Sequence, residues 1–379
     1  MIAEEFWWNN ITGPRRVASK VLEALGANKM VLLKVPDDLP WRHAMRGCIE
    51  QQFRETSDSY DILIDSLDAV DEVTGTDPGT FLLDKYSTHN EDVRVGFREK
   101  RNYHIQDYLK DNNVLNNRVI WIKGMTGDQV KVWADFCEQY SIKALPEGCF
   151  VMEVHGKLPN EAYKNIEIVS YEDYVTDYDV QSFNSVYLNE TSSYGIEWKQ
   201  YLAILAATVC GSDAEFSKAF IDEGDFKHDE VKDMLYKLAE SGDFARRGND
   251  KESQHILSYV RKKDETAIDR RIWKAQMQIL FPLIELERIK LIEKWEDNIS
   301  RALQENRITQ YGKQIYEPFD VELGTLDYYM HKYQENSRWT YISINDASDR
   351  RRIEFLHECR NILAHVGCCS TEQVVELLK

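Results

Sequence analysis

Near the C-terminus of this 379-residue chain stands EFLHECRNILAHVGCCS, residues 354–370. Arg360 is followed at once by Asn361, and His365 comes five positions after the arginine. Imidazole is the side chain that gains and loses protons near neutral pH. Guanidinium is a planar donor suited to anions. The spacing is therefore either a catalytic pair or two polar residues on an ordinary amphipathic helix.

On a helical wheel, at roughly 100° per residue, Phe355, Leu356, Cys359, Ile362, Leu363 and Val366 share one arc, a core face. His357, Asn361 and His365 fall on the opposite arc at successive i+4 positions, with Arg360 on the flank between. The polar set is displayed, not packed into the helix's own core. Surface residues of an ordinary helix would look the same.

The arrangement resembles the HEPN superfamily, whose all-helical domains carry R-x(4–6)-H with a polar residue, often Asn, straight after the arginine. RNILAH satisfies that pattern as Arg360, Asn361 and His365, late in a helical region. The earlier LFPLIELER stretch resembles the first long helix of such domains. The likeness covers residues 266–379, under a third of the chain. It implies metal-independent RNA cleavage, in which a 2′-hydroxyl attacks the adjacent phosphate. His365 would be general acid or base, Arg360 would stabilise the charge developing on phosphate, and Asn361 would orient the histidine or a phosphate oxygen. His357, Arg350, Arg351 and Arg352 would border the cleft and contact RNA. HEPN motifs usually face each other across a dimer, so one copy per chain implies a homodimer or a HEPN partner. Such architectures imply a toxin or phage-defence effector. Glu354 and Glu358 stand near the same face and would repel RNA.

The elements before the motif read differently. Residues 1–170 alternate short apolar runs with helical stretches: MVLLKV (30–35), YDILID (60–65), RVIWIK (118–123), CFVMEV (149–154) and NIEIVS (165–170). Continuous apolar runs mark strands covered on both faces, and their alternation with helices predicts an α/β domain with a mostly parallel sheet. Helices are predicted at about 15–26, 41–56, 92–110 and 126–140. An α/β domain followed by helices resembles AAA and STAND-type ATPases. A working member needs G-x-x-x-x-G-K-[ST] after its first strand, because that loop cradles phosphate. Here the first strand runs into PDDLPWRHAMRGC, without a glycine turn or Lys-Ser/Thr and with two aspartates where phosphates would sit. YDILID ends in Asp65, as a magnesium-holding strand would. The expectation is a degenerate ATPase-like or plain scaffold domain with no nucleotide cofactor.

Residues 171–195 show no clear period and read as a connection. Helices follow over 196–265, then a stronger helical pattern in which Pro282 is expected to start or kink a helix. A looser tyrosine-rich region spans 310–348, and a long helix is predicted over 347–366. Ser370 and Gln373 have the form of a capping box. Three domains are expected: 1–195 α/β, 196–265 small helical, and 266–379 HEPN-like, with both later parts all-α.

Composition limits partners. The net charge of −18 argues against broad nucleic-acid binding, and DNA is not expected as a partner. Residues 269–379 hold 16 Lys/Arg against 18 Asp/Glu, leaving 31 against 47 in the remainder, so the acidic excess lies in the first two-thirds. Seven cysteines, an odd number without C-x-x-C, predict free thiols in a reducing compartment. The cysteines and nine histidines do not cluster at ligand spacings, so no zinc site is expected. The acidic N-terminus lacks a signal-peptide pattern, and the longest apolar stretch, YLAILAATVC, is about half a bilayer span. A soluble cytoplasmic protein with no membrane partner is expected. FWWNN at 6–10 is expected to dock on its own domain. The functional expectation is a HEPN-type ribonuclease regulated by its α/β domain. The alternative is a non-catalytic scaffold in which both parts have lost chemistry, with a conventional ATPase a distant third.

Overall fold

The structure is a computed structural model that describes residues 2–56, 62–73, 77–88, 90–99, 103–140, 147–158, 161–249, 253–309, 311–331 and 342–379. Contacts divide the chain into two units. The first holds 1–190 with the short stretches 212–216 and 246–248; the second holds 191–211, 217–245 and 249–379. The helices expected at 196–265 and those expected at 266–379 thus fall mostly within one unit.

The first unit begins with α1 (Ala3–Asn10) and α2 (Thr12–Gly26), then β1 (Met30–Lys34), α3 (Arg42–Thr56), β2 (Leu63–Asp68), α4 (Pro78–Tyr86), α5 (Glu91–Glu99) and α6 (Ile105–Asp111). It continues with β3 (Arg118–Met125), α7 (Asp128–Tyr140), β4 (Cys149–Val154), β5 (Ile166–Ser170) and α8 (Asp177–Thr191). The five strands form one parallel sheet in the order β2-β3-β4-β1-β5. All six residues of β4 are buried, as both-face coverage requires. α2 packs on β1 and β5, and α7 on β4 and β5.

A charged side chain lies among the apolar ones of the sheet. Glu153 of β4 is fully buried. Its Oε1 accepts from Trp121 Nε1 at 2.6 Å and lies 2.8 Å from Arg46 Nε. A buried carboxylate persists only when paired in this way. Trp7 and Trp8 of α1 are also fully buried, against Phe183 and Tyr171 of the same unit, so FWWNN docks on its own domain.

The second unit contains α9 (Ile196–Cys210), most of α10 (Ala214–Glu223), α11 (Val231–Glu240), α12 (Ile256–Lys262), α13 (Glu265–Lys294), α14 (Glu296–Glu305), α15 (Leu323–His331), α16 (Ala347–Ala364) and α17 (Thr371–Leu377). α13 packs against α9 and α16, and α15 against α16. No helix among the described residues is long and apolar enough to cross a membrane.

Several expectations change. Residues 177–191, read as a connection, form α8. Its buried residues Val180, Phe183, Asn184, Tyr187 and Leu188 do follow helical spacing, but Asn and Tyr mask the stripe when they are counted as polar. Pro282 neither starts nor breaks a helix, because α13 runs through it for 30 residues. The helix expected over 92–110 is two, α5 and α6, with 100–102 outside the described residues. β2 starts at Leu63 and runs to Asp68, so Asp65 is not at its end; residues 60 and 61 lie outside the described residues. α15 stands within the region read as loose, whose residues 332–341 also lie outside the described ones.

Candidate functional site

α16 carries the motif, and its N-terminus is fixed by Asp346, whose side chain accepts from Ser348 N. Ile353, Leu356, Cys359 and Leu363 are buried on one face; of the expected core arc, Phe355 and Ile362 are half-buried and Val366 lies past the helix end, exposed. The opposite face meets α15 running antiparallel. Three side-chain pairs mark that seam: Glu322 with Arg360, Asp327 with His357, and His331 with Glu354.

The motif residues are linked to one another and to α15. Arg360 Nη1 donates to Asn361 Oδ1 at 3.3 Å, and Nη2 reaches Glu322 Oε2 at 3.4 Å. Asn361 Nδ2 lies 2.8 Å from His357 Nε2, and His357 Nδ1 lies 3.1 Å from Asp327 Oδ2. With Asn361 donating, His357 carries its proton on Nδ1 and passes it as a donor to Asp327. One polar chain therefore runs Arg360–Asn361–His357–Asp327.

His365 is not part of that chain. It is the C-cap of α16, exposed, and its backbone N–H donates to Asn361 O at 3.0 Å. Val366 follows with φ of 63°, a left-handed conformation that is an outlier for a β-branched residue. Gly367 N then donates to Ile362 O at 2.8 Å, closing the helix end, and a Cβ at Gly367 would press on Ile362. α13 holds this turn from one side. Trp273 Nε1 donates to Leu363 O at 2.7 Å. Buried Gln276 takes both backbone groups of Cys369, donating to its carbonyl at 3.0 Å and accepting from its N–H at 2.7 Å.

Of the three arginines expected to border the cleft, two are engaged by other groups. Arg350 Nη1 donates to Ile344 O. Arg352 is clamped on both carboxylate oxygens of Glu287, at 2.6 and 2.7 Å, and Glu287 raises its pKa. Arg351 is exposed, with its Nε on Ala347 O of its own helix. None of the three joins the chain around Arg360. A cavity of about 680 Å³ lies beside residues 366–370. Asp229, Glu230, Asp233 and Asp269 line it, and its one lysine, Lys232, is paired with Glu265 and Asp269. An acidic lining does not suit phosphate.

In the α/β unit, the turn after β1 is filled by the protein's own side chains. Arg42, the first residue of α3, donates to Pro36 O at 3.2 Å and to His155 Nε2 at 3.1 Å. His155 Nδ1 lies 2.9 Å from Asp37 Oδ1, not aligned as a hydrogen bond. Burial first, then Arg42, pulls the His155 pKa below its usual value. Asp65 pairs with Arg118 of β3 at 2.6 Å.

Reading the sequence for Cys and His spacings missed Asp327, His331 and Glu354, whose possible ligand atoms lie within 4.8 Å of one another. The available signal was D-x-x-x-H on one helix and E-x-x-H on the next.

No protein-family model matches the chain, and no characterised protein matches its sequence. Among solved structures it is similar to one described as Drosophila ORC bound to DNA, at 10% identity and a TM-score of 0.36, covering 74% of this chain and 68% of that one. It is also similar to the Aeropyrum pernix ORC1 protein in complex with DNA, at 14% identity and a TM-score of 0.31, covering 92% and 82%. Both are described with DNA, which stands against the expectation that DNA is not a partner, and that expectation is not kept. Likeness at these TM-scores carries no argument about what this chain binds.

Proposed function

We propose that the helical unit is a metal-independent RNA endonuclease of HEPN type, with Arg360, Asn361 and His365 as its reacting groups. The observation that carries this reading is the end of α16. There Arg360 and Asn361 touch, Asn361 is fixed from behind by His357, and His365 stands exposed at the helix terminus. The chemistry is a transesterification. His365 removes the 2′-hydroxyl proton, the 2′-oxygen bonds to phosphorus, and the bond to the 5′-oxygen breaks as a solvent water gives the leaving oxygen its proton; the His365 imidazolium returns its own proton to the resulting hydroxide. Arg360 donates to the non-bridging oxygens as their charge grows. Glu322, itself exposed, must release Arg360 for this.

The test is cleavage of RNA in EDTA by wild type and His365→Ala, with oligomeric state read on the same samples and DNA of equal sequence alongside. Loss of general acid–base catalysis lowers the rate about 10²–10⁴-fold. DNA lacks the 2′-hydroxyl and stays intact. Equal rates for wild type and variant, or cut DNA, would sink the reading. The second reading is a non-catalytic scaffold. The turn after β1, closed by Arg42 on Pro36 and His155, favours it, and absence of both RNA cleavage and ATP binding would be its signature.

A further inference from the structure

Between α14 and α15 the chain makes a small hairpin that the cleavage chemistry does not use. Ile308 bridges Gln314 antiparallel, Thr309 N donates to Lys313 O at 2.9 Å, and Ile315 N donates to Arg307 O at 2.8 Å. Gly312 makes the turn with φ of 78°, and Thr309 Oγ1 accepts from the N–H groups of Tyr311 and Lys313. The buried Tyr329 of α15 anchors the hairpin's base, its hydroxyl lying 3.2 Å from Asn306 O and 3.3 Å from Ile308 O. The hairpin is thus fixed to the helix on which α16 packs. At its tip Tyr311 is 86% exposed, so its ring is open for stacking. A cavity of about 430 Å³ is bounded by the hairpin and by residues 320–325, a size within the roughly 300–1,000 Å³ of small-ligand sites. Tyr311 and Gln314 line it, and among the described residues its lining sets two carboxylates, Asp320 and Glu322, against one lysine, Lys313.

We propose that this cleft holds one base of the RNA substrate, stacked on Tyr311, and that it selects a base carrying an exocyclic amino group. Single-stranded RNA is read through splayed bases that stack on aromatic rings and hydrogen-bond at their Watson–Crick edges. The excess of carboxylates turns phosphate away but accepts an amino group, as Asp and Glu accept from cytosine N4. Uracil presents a carbonyl oxygen at the same position, and two acceptors facing each other repel. Glu322 links the cleft to the motif. The same side chain holds Arg360 at 3.4 Å, and the cleavage chemistry needs Arg360 released. A base amino group that takes Glu322 frees Arg360 for the phosphate beside that base. Glu322 exchanges a guanidinium for an amino group, and Arg360 exchanges a carboxylate for a phosphate, so neither loses a partner. Recognition of the base and release of the catalytic arginine are one event.

This inference rests on the cleavage reading for its substrate, so its test reads binding alone. Full-length His365→Ala, which keeps the RNA whole, is titrated into short labelled oligo(rC) and oligo(rU) of equal length, and anisotropy is followed. The two bases share a ring size and differ at the Watson–Crick edge. Oligo(rC) is expected to bind at least about fivefold more tightly. Adding Tyr311→Ala weakens binding of both by about fivefold or more. Adding Glu322→Gln removes the preference, because the amide also donates to the uracil carbonyl. Equal affinity for the two oligomers, a preference untouched by Glu322→Gln, or binding untouched by Tyr311→Ala would each overturn the proposal. Cleavage by wild type without a cytosine preference sinks this inference and leaves the nuclease standing. A cytosine preference in a chain that cuts nothing keeps the base site and removes the nuclease.

Discussion

At the scale of single residues, His155 is the group whose environment most clearly sets a measurable property. It is mostly buried, it accepts from Arg42, and both influences favour its neutral form. Its folded pKa is therefore below the usual 6.5. Well above pH 6.5 both folded and unfolded rings are neutral and the fold keeps its full stability. As pH falls below that value, the unfolded chain takes up a proton that the folded one refuses. Stability is then lost, by up to about 1.4 kcal/mol per pH unit, until the folded pKa is reached. Thermal melts at pH 7.5, 6.5 and 5.5 should show wild type losing more than His155→Gln; parallel losses would mean that other groups carry the effect. His155 itself gave no signal in the sequence. The RNILAH spacing did, but Glu322 and Asp327, which hold Arg360 and His357, stand in a stretch that reads as loose. A pairing partner on another helix has no local signature.

At the scale of elements, β1, β3 and β4 were legible because most of their residues are buried, and β4 matches its apolar run residue for residue, whereas the edge strand β2 is mostly uncovered and its bounds were misread. α8 was not, because Asn184 and Tyr187 are buried polar-looking residues whose placement only tertiary packing reveals. The expected capping box of the last helix is present, since Ser370 and Gln373 are three apart and need nothing else. The hold of α13 on the end of α16 is the tertiary feature with the clearest consequence. Gln276 is buried and serves both backbone groups of Cys369. Gln276→Leu keeps the volume but leaves a buried N–H and C=O without partners, at about 1–3 kcal/mol each. We expect a lower denaturation midpoint and faster amide exchange at residues 366–370. Exchange unchanged at that turn would show that Trp273 alone holds it. The same variant should cut RNA more slowly if His365 needs the turn for its position, a loss that a purely structural defect elsewhere in the helix would not localise.

At the scale of the whole molecule, charge decides what kind of nucleic-acid contact is open to this chain. The net charge is −18, and the three clustered arginines do not form a free basic patch. Arg352 is spent on Glu287 and Arg350 on a backbone carbonyl, while Arg351 is exposed and Arg360 is half-exposed beside an exposed glutamate. Only the last two are placed to meet phosphate on α16. Each phosphate neutralised on a single strand contributes about −0.7 to the slope of log K against log salt. Two contacts predict a slope of about −1.4, far shallower than that of proteins whose affinity rests on a basic face. Binding of labelled single-stranded RNA and DNA between about 50 and 200 mM KCl measures it, with Arg360→Ala expected to make the slope shallower by about 0.7. A slope of about −4 or steeper would place the contact on cations elsewhere in the chain and remove α16 from the interface. A shallow slope that does not change in the variant would mean that Arg360 stays with Glu322, and that this helix end is a structural joint before it is a site.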